Sequence, residues 1–151
     1  MKLLSRTSEE IKSIQRLHTE AFGRLSKQLR TLPGARELLS HLTATGVRWA
    51  IATSGRLKNA QPALDILGIG TDVTVVTRDE VPYAKPDPDL FMAAANRLGV
   101  DLQNAVVVGD SVWDMLAARR ARALDVGLLS GGYGQDKLER ADISMKLVFG
   151  P

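Results

Sequence analysis

The sequence predicts an α/β fold built on a parallel sheet with helices on both faces. From Gly46 onward, short apolar runs alternate with helix-length segments, the rhythm of parallel strands joined by helical crossovers. The run Val106-Val107-Val108 then meets Gly109-Asp110, so β-branched residues fit for a buried parallel strand end in a turn residue and an acid. The length of 151 residues, with 44% apolar and 25% charged residues, is that of one domain with a real core.

The elements follow in order. Thr7-Ser8-Glu9-Glu10 has the spacing of a capping box and opens one long helix, or two shorter ones, reaching about Leu32. Ile11, Ile14, Leu17, Phe22, Leu25 and Leu29 trace its apolar stripe, His18 lies beside that stripe, and Gly23 is a point where the helix can loosen. Pro33-Gly34 marks a boundary, dividing the chain into residues 1–32 and 33–151. A helix from Ala35 to Thr45 turns Leu38, Leu39 and Leu42 inward, carries His41 on its polar flank and stops at Gly46. Val47 to Ala52 is a strand ending in Thr53-Ser54-Gly55, Gln61 to Leu67 a helix closed by Gly68, and Val73 to Val76 a short strand. A polar loop from Thr77 to Tyr83 leads into Ala84-Lys85-Pro86-Asp87-Pro88, and Pro88 to Leu98 is a helix closed by Gly99. After the strand at Val106–Val108 come a helix from Val112 to Arg122, a strand from Val126 to Leu129 ending at Ser130-Gly131-Gly132, and a helix near Gln135–Arg140.

Composition narrows the function. The net charge of +3 and pI near 9.4 permit an anionic ligand, but no Lys/Arg block interleaved with aromatics points to nucleic acid. The absence of cysteine excludes disulfides, thiol catalysis and cysteine-ligated zinc. His18 and His41 are too few for a histidine-rich metal site. The apolar run Met1-Lys2-Leu3-Leu4 is too short for a signal peptide, and no run has the length of a membrane span, so a cytoplasmic protein without a membrane partner is expected.

The chemistry sits at strand ends. Asp110 follows a strand and Asp114 falls in the first turn of the next helix, where the two carboxylates can converge on a hard cation such as Mg²⁺. The same residues also read as an Asp turn and an acid that favours the helix dipole. Thr53-Ser54-Gly55 offers hydroxyls and backbone N–H groups suited to a phosphate, or simply the small residues a strand-to-helix turn requires. Lys85, held extended before Pro86, can offset phosphate charge or stand in solvent. Asp87 and Pro88 read as a helix N-cap and first-turn proline, and Arg119, Arg120 and Arg122 as a solvated helix face.

Taken together, a hydroxyl, a Lys-Pro and a Gly-Asp-Ser-x-x-Asp, each after an apolar strand, resemble the haloacid dehalogenase (HAD) superfamily over about Pro33 to Gly132, in its phosphatase-like branch with a small helical cap. The resemblance implies a Rossmann-like core over residues 33–151 and a remnant of the cap over residues 1–32. It puts Thr53, with Ser54 and Gly55, at the phosphoryl-binding motif. Lys85 becomes the catalytic lysine that steadies nucleophile and phosphate, and Asp110 and Asp114 the holders of Mg²⁺. The implied ligand is a small phosphorylated metabolite or free phosphate, and the implied reaction is phosphate monoester hydrolysis through a phosphoaspartyl intermediate.

The chain departs from the family at its first motif, an Asp-x-Asp on a central strand near the amino terminus, because no aspartate precedes Asp65. Without that carboxylate the covalent step is lost. The sequence is therefore expected to be an amino-truncated member, impaired or inactive, with weak or absent Mg²⁺ binding. The alternatives are a non-catalytic module that binds phosphate, Mg²⁺ or a partner protein, and a fragment whose sheet a second chain completes. The missing strand would leave a slot between the strands ending at Thr53 and Asp110. Those strands could close on each other, a second copy could lend a strand in a homodimer, or Ser144–Gly150 could return into the slot. More simply, Ser144–Gly150 reads as a terminal or edge strand or a free tail.

Overall fold

The computed structural model describes residues 7–141 and 148–149, with side chains through Leu138. Helix α1 (Ser8–Leu25) starts with the expected capping box: Thr7 Oγ1 accepts from the Glu10 N–H, and the Glu10 carboxylate accepts from the Thr7 N–H. Gly23 does not break it, and a 3-10 turn at Ser26–Gln28 follows. No residue of α1 is buried, so the stripe of Ile11, Ile14 and Leu17 stays largely exposed. Helix α2 (Ala35–Ala44) likewise buries none of its residues.

Strand β1 (Ala50–Ala52) is shorter than the expected Val47–Ala52. Trp49 donates its indole N–H to Thr43 Oγ1, and the Arg48 guanidinium donates to the carbonyls of Leu98 and Gly99, so the residues before Ala50 are held by side-chain bonds rather than by the ladder. Helix α3 (Leu57–Leu67) begins ahead of Gln61 because the Asp79 carboxylate accepts the Leu57 N–H at 3.0 Å, a cap supplied from a distant loop. Strand β2 (Thr74–Val76) pairs in parallel with β1, and α4 (Asp89–Leu98) packs on both. Gly68 and Gly99 close α3 and α4 in the left-handed conformation at φ of 73° and 62°.

Strand β3 (Val106–Gly109), helix α5 (Val112–Arg120), strand β4 (Leu124–Leu128), helix α6 (Gln135–Ala141) and strand β5 (Val148–Phe149) complete the chain. Among the described residues the strands form two parallel sheets, β1-β2 and β3-β4-β5. The strands ending at Ala52 and Gly109 therefore do not close on each other. Of Ser144–Gly150, the described part, Val148–Phe149, pairs with the edge of β4 away from β3, as an edge strand does and not as a filler of the slot; the rest lies outside the described residues.

Helix α4 joins the two sheets. Leu90 and Ala94 pack with Val76 and Val81 over β1-β2, while Phe91 packs with Val107, Ala117 and Ala118 over β3. Ala52 touches both clusters. Only the middle valine of β3 is buried: Val107 is 7% exposed, Val106 57% and Val108 52%. The triple-valine run thus has one covered face, where the sequence pattern predicts two; no described element lies over the other.

Candidate functional site

The loop from Val81 to Pro88 carries Lys85 inward from the end of β2. Its ammonium donates to the Ala52 carbonyl at 2.9 Å, pairs with Asp114 Oδ1 at 2.7 Å and lies 4.9 Å from the centre of the Phe91 ring. The Lys85 side chain is 13% exposed, so it is not the solvated lysine that its sequence context allowed. The Lys85–Pro86 peptide is cis.

Asp114 is buried at the start of α5, where its helix position is set by Ser111. The Ser111 hydroxyl accepts the Asp114 N–H, while the Ser111 N–H and hydroxyl donate to Asp114 Oδ2 at 3.1 and 2.6 Å. Burial pushes the Asp114 carboxyl up, but the Lys85 charge and hydrogen bond and the two Ser111 hydrogen bonds together outweigh it, holding the group below its ordinary value. Gly109 makes this possible: a Cβ there would stand 2.4 Å from Asp114 Cβ.

Asp110 is held differently. Its Oδ2 accepts from the Ser130 hydroxyl at 3.1 Å, and the loop after β4 passes so close that a Cβ on Gly131 would stand 2.0 Å from the Asp110 carbonyl oxygen. At the end of β1, the Thr53 N–H donates to the Val76 carbonyl and Thr53 Oγ1 accepts the Gly55 N–H at 3.0 Å, which shapes the turn. Ser54 and Gly55 line an open cavity of about 590 Å³ whose opposite wall is α1, with Gln15, His18 and Thr19, and whose floor includes Asn59. The structure therefore gathers Lys85, Asp114 and the end of β1 in direct contact, and sets Asp110 directly after β3, four residues before Asp114. The cavity adjoins this cluster through Ser54 and Gly55, and its lining includes none of the three charged residues.

Several participants escaped the sequence reading. Ser111 was legible as the first residue of a Ser-x-x-Asp capping pattern. Phe91, Ser130 and the Ala52 carbonyl carry no local signal. Asp87 does not cap α4, whose N-cap position is Pro88 with no side-chain bond; it pairs with Arg120 at 2.9 Å instead, and Arg120 is accordingly more than a solvated residue.

Mg²⁺ is usually held by one or two carboxylates, waters and substrate oxygens. Asp110 fits such a role, since Oδ1 has no partner among the described residues and Oδ2 has only a hydroxyl. Asp114 has both oxygens engaged by Lys85 and Ser111. No group of three or more acidic or histidine side chains forms a metal cage among the described residues. The Asp-x-Asp that the chain does contain, Asp87-Pro88-Asp89, begins α4 rather than ending a strand.

The family model for haloacid dehalogenase-like hydrolases matches residues 3–122. The chain belongs to this family. A HAD-family likeness also runs through solved structures. The crystal structure of a hydrolase from Pseudomonas syringae is 46% identical, with a TM-score of 0.91 over 97% of this chain and 66% of that one. A HAD family hydrolase from Deinococcus radiodurans R1, crystallised with bound phosphate and sodium, is 28% identical, with a TM-score of 0.76 over 85% of this chain and 58% of that one. Hexitol phosphatase A of Escherichia coli (strain K12) is 40% identical over 90 residues, 60% of this chain and 42% of that protein. The chain spans about half the length of the curated relatives it matches. No described helix is long and apolar enough to cross a membrane.

Proposed function

We propose that this chain supplies the phosphate-holding part of a HAD-type phosphatase site, binding a small phosphorylated metabolite or free phosphate in the cytoplasm, with neither nucleic acid nor membrane as partner. The observation that carries this reading is the nearly buried Lys85 ammonium at the end of β1, beside the hydroxyl-bearing turn Thr53-Ser54-Gly55. A cation with restricted solvent access interacts strongly with an oxyanion, and the Thr53 and Ser54 hydroxyls can donate to the same group. Asp114 holds Lys85 in place. Asp110 is the direct Mg²⁺ ligand of this reading, with water and phosphate oxygens filling the remaining positions; the metal, when bound, would neutralise charge on the phosphate. Residues 1–32 are cap residues in this reading, and the cavity between α1 and Ser54 is sized for the organic part of a small ester.

Turnover requires a carboxylate in line with phosphorus. No aspartate precedes Asp65, and Asp87 is paired with Arg120. The 151-residue chain by itself should therefore bind phosphate without hydrolysing esters. p-Nitrophenyl phosphate with Mg²⁺ tests this: the expected rate is the buffer background, and a robust rate abolished by Asp110→Asn would overturn it. The separate β1-β2 and β3-β4-β5 sheets favour a second reading, a non-catalytic module whose sheet a second copy completes. Mass measurement in solution separates monomer from dimer.

A further inference from the structure

Arg120 ends α5 with half of its side chain exposed, yet its guanidinium is directed back onto the protein. The Nη1 group donates to the Pro86 carbonyl at 3.2 Å and to Asp87 Oδ1 at 2.9 Å. Both acceptors follow Lys85 directly in the chain. The segment has little backbone bonding of its own: the Asp87 N–H donates to the Ala84 carbonyl at 3.0 Å. Helix α5 thus grips the Lys85 loop at both ends. Asp114 in its first turn takes the ammonium, and Arg120 at its last residue takes the backbone and side chain that follow. The rise between these two helix positions is about 9 Å. A lysine stem is long and flexible, so where its ammonium rests depends on where the loop holds its backbone. A guanidinium suits that task because its Nη1 amino group carries two N–H donors at the end of a long stem, one for the carbonyl and one for the carboxylate.

We propose that Arg120 is a positioning residue for Lys85: by fixing Pro86 and Asp87 against the end of α5, it sets the depth at which the ammonium meets the turn Thr53-Ser54-Gly55, and so sets phosphate affinity. The proposal rests on the reading of Lys85 as a phosphate-holding group. It differs from a merely structural tie between the Lys85 loop and α5, which would affect folding but not act through Lys85.

A double-mutant cycle on inorganic phosphate affinity, measured by calorimetry on the full chain, tests it. Arg120→Ala should weaken binding about threefold, as expected for losing a partly exposed charged contact. Lys85→Ala should weaken it about tenfold. The double variant should bind no more weakly than Lys85→Ala alone, because Arg120 has nothing left to position. Arg120→Lys, which keeps the charge on a shorter, more flexible stem, should recover only part of the loss. Asp87→Asn guards against an unfolded Arg120 variant and should weaken phosphate binding in the same direction. Additive losses in the cycle, or wild-type affinity in a folded Arg120→Ala protein, would overturn the positioning role while leaving the phosphate reading intact. Unchanged affinity in Lys85→Ala would overturn both.

Discussion

Lys85 Nζ stands 2.7 Å from Asp114 Oδ1 and 2.9 Å from the Ala52 carbonyl oxygen, so one ammonium ties the end of β1 to the start of α5. They serve different sheets: β1 pairs with β2, and α5 follows β3, which pairs with β4. The pair is at once a cross-link between two halves of the fold and the charged centre of the candidate site.

Replacing Asp114 by asparagine should therefore cost more than a surface change. The Lys85 ammonium would keep its carbonyl partner but lose its counter-charge in a nearly buried position, and breaking such a pair on one side costs about 3 kcal/mol. Urea denaturation of Asp114→Asn against wild type reads this directly. A loss within the range of surface substitutions would mean that solvent already screens the pair.

Acid should remove the same contribution. The Asp114 carboxyl is held below its ordinary value in the folded protein, so as pH falls the unfolded chain takes up the proton first. The stabilisation is complete above the ordinary carboxylate range, about pH 5 and upward, and drains away as pH falls through the lowered value. Glu80 is also lowered, chiefly by its hydrogen bond from Arg97, but that contribution is common to wild type and Asp114→Asn. The stability gap between the two proteins should accordingly shrink between pH 6 and acid. A gap that stays constant would contradict the assignment.

Two glycines guard the carboxylates. A Cβ at Gly109 would meet Asp114 at 2.4 Å, and one at Gly131 would meet the Asp110 carbonyl oxygen at 2.0 Å. Alanine at either position should destabilise by roughly 1–3 kcal/mol, as overpacking does. Gly131→Ala strikes backbone, which cannot swing aside as a side chain can. Crystal structures of the two variants should show Asp114 displaced in the first and the Ser130–Gly131 loop displaced in the second. Both substitutions fitting without movement would contradict the packing described.

Mg²⁺ binding, if Asp110 is the direct ligand, should be weak alone and stronger when phosphate supplies further oxygens. Calorimetric titration with and without phosphate checks this, and Asp110→Asn should remove the response. An undiminished response in that variant would place the metal elsewhere.

Much of this arrangement was legible because it is local. The capping box at Thr7–Glu10 depends on a three-residue spacing, and Gly68 and Gly99 mark helix ends through their left-handed backbone. The hydroxyl turn after β1 and the acid after β3 are strand ends readable from apolar runs. What escaped depends on distant partners. Helix α3 starts at Leu57 because Asp79 caps it from another loop. Val47 and Trp49 extend the apolar run back from β1, but the Arg48 and Trp49 side chains bind α4 and α2 instead. The burial of Lys85 is set by Phe91, Asp114 and a backbone carbonyl, none of which its neighbours in sequence announce. The valines of β3 look uniformly apolar, and only the three-dimensional layering shows that one face is covered.

The central claim is that Lys85 and the turn Thr53-Ser54-Gly55 form a phosphate site, and its most direct test is a titration of ¹⁵N-labelled protein with inorganic phosphate at fixed Mg²⁺ and ionic strength. The account predicts saturable amide shifts centred on Thr53, Ser54, Gly55 and Lys85 that disappear in Lys85→Ala. The absence of saturable shifts at these residues, or their persistence in Lys85→Ala, would contradict it.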